Sequence, residues 1–184
     1  LLDAPGYDAV PRIREEMPQA YFNLGAMRHT AGERHKAEDA YEEALRLDPD
    51  HLPAIKNLGL LTRELEDYAR SVELFEQGLK IDPTNASIAI ALAVSHSLQG
   101  LHEEADSLLQ AVRGRGDLPV DTYHALAENQ IRRGDMTSAR ASAEAVVRLT
   151  GSDIRALKVL AFVHEHNKAG ERYGDGYDGR YVST

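Results

Sequence analysis

Residues 18–51 have the sequence PQAYFNLGAMRHTAGERHKAEDAYEEALRLDPDH, and residues 52–85 follow with the same pattern, LPAIKNLGLLTRELEDYARSVELFEQGLKIDPTN. Each stretch contains Asn-Leu-Gly, so that Gly25 and Gly59 are 34 residues apart. Four series of similar residues continue at this spacing: Leu24, Leu58, Leu92, Leu126 and Leu160; Gly25, Gly59, Ala93, Ala127 and Ala161; Ala37, Ser71, Ala105 and Ala139; Tyr41, Phe75, Leu109 and Ala143. Four series that share one period predict a repeat protein.

Each repeat is predicted to contain two amphipathic helices. In the first repeat, apolar residues recur at helical spacing over 18–31 and again over 34–47. Gly32 allows a tight turn between the two helices, and Pro49 ends the second because proline cannot continue a helix. Small residues such as Gly25 let two helices approach closely, and the aromatic residue of the second helix fills the space between them. The pattern therefore predicts antiparallel helix pairs.

This pattern resembles the tetratricopeptide repeat (TPR) family over about 150 of the 184 residues. The residues that carry the resemblance are Tyr21, Leu24, Gly25, Gly32, Ala37, Tyr41, Ala44 and Pro49 in the first repeat, Leu58, Gly59, Tyr68, Phe75 and Pro83 in the second, Leu92, Gly100 and Ala105 in the third, and Tyr123, Leu126, Gly134 and Ala139 in the fourth. The resemblance implies an all-α, right-handed TPR-like solenoid of four helix pairs plus one terminal helix, with a concave groove. Members of the family are mostly protein-binding scaffolds and not catalysts.

The predicted organisation has four parts. They are an N-terminal segment, 1–17, with a short helix over 11–17; four repeats over 18–153, at 18–51, 52–85, 86–119 and 120–153; a terminal helix, 154–169; and a C-terminal arm rich in glycine and tyrosine, 170–184. Pro11 is suited to a helix start. The glycines of the arm do not favour a helix.

Composition excludes several functions. The net charge is −9, which argues against nucleic-acid binding because that needs a basic surface. The absence of cysteine excludes disulfides and thiolate metal sites, and no apolar run approaches the roughly 20 residues of a membrane span. Residues 174–179 match G-x-G-x-x-G, but no strand precedes them and no helix follows. These observations predict no catalytic residue, cofactor, metal or membrane insertion. The TPR resemblance implies that the chain is not an enzyme and that its partner is a protein or peptide.

The TPR resemblance implies that the first helix of each pair lines the groove. Asn23 and Asn57 take equivalent positions there, and because an amide both donates and accepts, the pair can hold an extended peptide backbone. The alternative is that both are simply solvated. The predicted peptide-binding residues are Phe22, Asn23, Lys56, Asn57, Leu60, Arg63, Ile90 and Val94. Replacing both asparagines by alanine is expected to weaken partner binding without lowering the melting temperature.

Two further features of the groove leave alternatives open. Its middle is apolar, with Ile90, Ala91, Val94 and Leu98. The alternatives are that a partner covers this strip, that the chain's own tail covers it, or that it is buried by ordinary packing. Lys56, Asn57 and Arg63 resemble part of the clamp by which some family members hold acidic C-terminal peptides. Phe22 and Ala91 stand where further clamp groups are expected, which argues against a clamp.

The terminal helix suggests an alternative function. Residues 157–163 are apolar except for Lys158, which predicts burial on all faces, whereas a terminal repeat needs a polar outer side. The arm, another subunit or helices that follow this sequence would provide the cover. The alternative is therefore a structural subunit that self-assembles head-to-tail into an oligomer or filament through its N-terminal segment, terminal helix and arm. Its predicted contact residues are Leu157, Leu160, Phe162, Val163, Tyr173, Tyr177 and Tyr181.

Overall fold

The computed structural model describes residues 9–113 and 120–173. These residues form nine α-helices and no strand, which confirms the predicted all-α fold class. The helices are α1 (Ala9–Thr30), α2 (Arg34–Leu47), α3 (Leu52–Glu64), α4 (Tyr68–Ile81), α5 (Ala86–Leu98), α6 (His102–Arg113), α7 (Val120–Arg132), α8 (Met136–Thr150) and α9 (Ile154–Tyr173). We call the odd-numbered helices first-type and the even-numbered helices second-type. No helix in the described ranges is both long and apolar enough to cross a membrane.

Each turn from a first-type to a second-type helix contains one residue in the left-handed conformation. These residues are Gly32, Glu66, Gly100 and Gly134, with φ of 76°, 64°, 83° and 77°. The next position in this series is Lys168, which lies inside α9. Lysine favours a helix and rarely adopts a positive φ. The helix therefore continues to Tyr173, and the prediction that it ends at 169 is wrong.

The N-terminal end also differs from the prediction. The predicted organisation has a short separate helix over 11–17, but α1 is one continuous helix that contains Pro18. A proline inside a helix removes one backbone hydrogen bond. Pro18 is buried, and burial of its ring favours the continuous helix.

The chain divides into two units, residues 1–99 and residues 100–184. In unit 1, α1 packs on α2, α3 packs on α4, and α4 packs on α5. Its core includes a cluster of buried side chains, Ala37, Tyr41, Leu58 and Leu61, against which Phe22, Leu45, Leu65 and Leu74 pack. A Cβ placed on Gly25 would lie 2.6 Å from Tyr41 Cδ1, and one on Gly59 would lie 2.6 Å from Phe75 Cε1. The small residues thus allow the aromatic rings to pack directly on the first-type helices.

Unit 2 is built in the same way. α7 packs on α6, α8 and α9, and α8 packs on α9. A cluster of Ala143, Val146 and Ala156 lies between α8 and α9, with Val120, Tyr123, Val147, Val159 and Leu160 against it. Aspartate side chains cap the N-termini of two of these helices. Asp135 accepts a hydrogen bond from the Ser138 amide at the start of α8, and Asp153 accepts one from the Ala156 amide at the start of α9.

Candidate peptide-binding face

The eight predicted peptide-binding residues lie on three neighbouring helices of unit 1. Two are on α1, four on α3 and two on α5, and α3 contacts both of the other helices. We call this set the first-helix face: Phe22, Asn23, Lys56, Asn57, Leu60, Arg63, Ile90 and Val94. Asn23 is exposed and the other seven are half-buried. Ala91, predicted to belong to the apolar middle of the groove, is buried, so it offers no surface to a partner.

The two asparagines differ in their surroundings despite their equivalent positions. Asn23 Oδ1 accepts a hydrogen bond from Gln19 Nε2 at 2.9 Å. Asn57 Nδ2 donates to the Tyr41 hydroxyl at 3.3 Å. Burial raises the pKa of the Tyr41 hydroxyl above its usual value, and the hydrogen bond from Asn57 opposes that shift. Within the described residues, the amide nitrogen of Asn23 and the amide oxygen of Asn57 make no hydrogen bond to a side chain or backbone group, so each remains available to a peptide.

Phe22 supports the core as well as the face. Its ring centroid lies 6.0 Å from that of Tyr41 and 5.4 Å from that of His51. His51 in turn accepts a hydrogen bond from the Ala54 amide and caps the start of α3. The aromatic side chain at the edge of the face is therefore held in place by two rings, and only part of its surface is available for contact.

The cationic side chains of the face have different roles. Arg63 Nη1 donates to the Ala91 carbonyl oxygen at 3.4 Å and so links α3 to α5. Lys56 is half-buried, and its ammonium group has no ion-pair partner among the described residues. Lys56 is thus the cation of this face that is placed to attract an acidic group from outside.

A polar contact that the sequence did not predict joins the ends of α1 and α3. His29 Nε2 lies 3.0 Å from Glu64 Oε2, and Arg34 Nε lies 3.6 Å from the same oxygen. The hydrogen bond with His29 holds the pKa of Glu64 below its usual value, and Arg34 adds to that shift. The available signal in the sequence was the spacing of His29 and Glu64, which are 35 residues apart, one more than the repeat period.

Unit 2 contains a polar network that the sequence analysis also missed. The buried Asn129 donates to Asp106 Oδ1 at 2.6 Å and to the His102 carbonyl at 3.1 Å, and its own oxygen lies 2.9 Å from His102 Nδ1. Arg133 pairs with the same aspartate. The available signal in the sequence was Asn129 itself, because the equivalent position in the second repeat holds an apolar residue, Leu61. These groups satisfy one another and link α6 to α7. No group of three or more acidic or histidine residues in the described chain is placed to hold a metal.

The structure places the predicted self-assembly residues unevenly. Leu157 and Phe162 are exposed, whereas Leu160 is half-buried against the α8–α9 cluster. Val163 is only 2% exposed, so it is not free to contact another subunit. The prediction that residues 157–163 are buried on all faces is therefore wrong, because among the described helices α9 packs on α7 and α8, which lie on one side of it. Tyr173 ends α9 with its side chain undescribed, and Tyr177 and Tyr181 lie outside the described residues.

Comparison with family models identifies the repeats. One tetratricopeptide repeat model matches residues 16–84, and a second matches residues 63–119. Together they span residues 16–119, from within α1 to beyond the end of α6. The first-helix face lies entirely within the region that these two matches span.

Comparison with solved structures supports the same fold. The MamA protein is 20% identical, with a TM-score of 0.70 and 86% of each chain covered. A tetratricopeptide repeat protein from Parabacteroides merdae is 14% identical, with a TM-score of 0.75 over 84% of this chain and 60% of its own. MamA from Desulfovibrio magneticus RS-1 is 17% identical, with a TM-score of 0.71 over 85% and 89%. At these identities the likeness concerns the fold alone.

One curated relative shares a short region. The human protein O-mannosyl-transferase TMTC2 is 46% identical over 46 residues, which make up 25% of this chain and 6% of that protein. The match thus spans a small fraction of the transferase. The activity in its name belongs to that protein.

Proposed function

The chain belongs to the tetratricopeptide repeat family, and on that premise we propose that unit 1 binds an extended peptide segment of a protein partner on its first-helix face. Tetratricopeptide repeats support a role as a protein-interaction scaffold, generally without catalysis. One observation carries the finer proposal. Asn23 and Asn57, on adjacent first-type helices, each keep an amide group available, and half-buried apolar side chains lie beside them.

The available amide groups suit a peptide backbone. The Asn23 nitrogen donates to a peptide carbonyl, and the Asn57 oxygen accepts from a peptide N–H. Such contacts do not depend on the peptide's side chains. Leu60, Ile90 and Val94 would then favour apolar side chains, and Lys56 an acidic one. The face would act by binding alone, so we propose no catalytic step.

The test starts from a peptide selected from a displayed random library on the intact chain. Its Kd is measured by calorimetry for the native protein, Asn23→Ala, Asn57→Ala and the double variant. Each hydrogen bond contributes about 1 kcal/mol, so the double variant should bind about tenfold to thirtyfold more weakly. Asn167→Ala, which changes an exposed asparagine on α9, is the matched control and should bind normally. An unchanged Kd in the double variant would contradict the proposal.

The structure also changes what is expected of stability in this experiment. Asn57→Ala removes the donor to the buried Tyr41 hydroxyl, which should cost about 0.5–1.5 kcal/mol. Asn23→Ala removes only an exposed contact to Gln19 and should leave the melting temperature unchanged. The expectation that the double substitution leaves the melting temperature unchanged is therefore revised. Asn23→Ala alone separates lost binding from lost stability.

Self-assembly is the second candidate, favoured by the exposed apolar side chains of α9. Leu157 and Phe162 are 47% and 50% exposed, and exposed apolar surface often marks an interaction site. The predicted head-to-tail contact through residues 1–17 stays a prediction. Light scattering over a hundredfold range of concentration tests this candidate. A molar mass that rises with concentration would support it, and a constant mass near 20.3 kDa would contradict it.

A further inference from the structure

The side of α9 that faces away from α8 has both apolar and charged residues. Ala156 and Val163 lie on the buried side of the helix. The residues on the opposite side are all exposed, and Ile154 reaches 72%. We call them the α9 outer face: Ile154, Leu157, Lys158, Ala161, Phe162 and Glu165.

Two charges on this face are spaced for self-recognition. Lys158 and Glu165 are seven residues apart, which is about two helical turns, so both point to the same side. Neither has an ion-pair partner among the described residues. If two α9 helices lie antiparallel and cross between Ala161 and Phe162, Lys158 of each copy is opposite Glu165 of the other. The same alignment places Phe162 of each copy against Ala161 of the other, a large side chain against a small one.

We propose that two copies of this chain pair through the α9 outer face in an antiparallel, two-fold contact. The proposal rests on the self-assembly candidate above and replaces its head-to-tail geometry by a closed dimer, since a two-fold contact uses the same face of both copies. Arg155, the neighbouring cation on α9, already pairs with Glu128 at 3.1 Å and does not oppose the contact. One helical face per copy is smaller than a standard interface, so the expected Kd is on the order of micromolar.

Charge reversal tests the proposed alignment. The native chain, Lys158→Glu, Glu165→Lys, an equimolar mixture of these two variants, and the double variant are compared by sedimentation equilibrium. Each single variant places like charges opposite each other twice, so its dimer Kd should rise at least tenfold. The mixture and the double variant each restore two opposite-charge pairs and should dimerise like the native chain. Circular dichroism checks that these exposed substitutions leave the helices intact.

The results that overturn the proposal are distinct. A native chain that stays monomeric up to about a hundred micromolar, an assembly larger than a dimer, or single variants that dimerise normally would each do so. A mixture that fails to recover would exclude the antiparallel alignment. Failure of dimerisation leaves peptide binding by the first-helix face untouched, because that binding is measured in a separate titration of the intact chain with peptide.

A fluorescent reporter adds a second measurement. The chain has no tryptophan, so Phe162→Trp reports on the α9 outer face alone. Its emission maximum should shift to shorter wavelength as concentration rises through the dimer Kd. A short-wavelength maximum in the monomer would show that another part of the chain covers the face and would overturn the proposal.

Discussion

α7 and α9 are both first-type helices of unit 2, yet equivalent residues in them are buried to different extents. Leu126 is 1% exposed and Ala127 is fully buried in α7. Leu160 is half-buried and Ala161 is exposed in α9, 34 residues further on. Among the described helices, α7 packs on three others, α6, α8 and α9, whereas α9 packs on two, α7 and α8. The repeat pattern thus specifies a helix and its register, and the number of neighbouring helices decides how much of it is buried.

The largest expected effect comes from shortening the two equivalent leucines. Leu126→Ala should lower the free energy of unfolding by about 2–5 kcal/mol, because it leaves a cavity in a closed core. Leu160→Ala should cost clearly less, since its site is already partly open to solvent and can relax. Urea unfolding followed by circular dichroism measures both. Equal losses would show that the two sites are equally enclosed and would break the comparison.

An intermediate effect is expected at the small-residue series. Gly59→Ala should destabilise the chain by about 1–3 kcal/mol, because the new Cβ would meet the Phe75 ring at 2.6 Å. The third repeat has Ala93 and Leu109 at the same two registers. Combining Gly59→Ala with Phe75→Leu should therefore recover part of the loss.

The matched substitution on the terminal helix is Ala161→Val. Its site is exposed, so in dilute, monomeric protein it should lower the free energy of unfolding by no more than about 0.7 kcal/mol, the difference in helix propensity between alanine and valine. The comparison assumes that a larger side chain at this position is destabilising only where a second-type helix packs against it. A large loss of stability in Ala161→Val, or no loss in Gly59→Ala, would contradict that assumption.

The smallest effect concerns pH. The hydrogen bond from the Ala156 amide holds the pKa of Asp153 below its usual value at the start of α9, and hydrogen bonds from Ser138 do the same for Asp135 at the start of α8. A lowered folded-state pKa means that the stabilisation is present above the unfolded pKa, near 3.8, and is lost as pH falls through the folded value. Melting temperatures should therefore fall below about pH 4.

Asparagine variants isolate each cap. Asn keeps the accepting oxygen but does not titrate, so Asp135→Asn and Asp153→Asn should each reduce the acid-dependent loss of melting temperature while changing it little at pH 7. Glu165→Gln, an exposed acid outside the caps, is the control and should leave the acid profile unchanged in monomeric protein. Profiles identical to that of the native chain in both cap variants would exclude the caps as its source.

Local sequence patterns predicted most of the fold because each repeat contains residues that mark where its helices end. Gly32, Gly100 and Gly134 adopt the left-handed conformation that a tight turn between helices requires. The predicted helix bounds were wrong at the two ends of the described chain, where the residues that mark a helix end differ from those in the repeats. The predicted boundary between residues 17 and 18 falls within α1, where Pro18 is buried, and Lys168, in place of a turn glycine, lets α9 continue.

The candidate site was predicted less completely than the fold. The repeat period placed Asn23 and Asn57 at the same register, and the structure has both on the first-helix face. It did not reveal that Asn57 donates to Tyr41, or that His29 pairs with Glu64. These contacts join residues on different helices, so they depend on side-chain directions and distances that a one-dimensional period does not contain.

The amino-acid sequence by itself determined the helices, their 34-residue register and the family, because each follows from local spacing of apolar, small and turn-forming residues. Only the tertiary structure decided which members of each series are buried. Leu126 and Leu160, or Asn23 and Asn57, are the same residues at the same register, and they differ because burial and hydrogen bonding depend on which helices pack beside them.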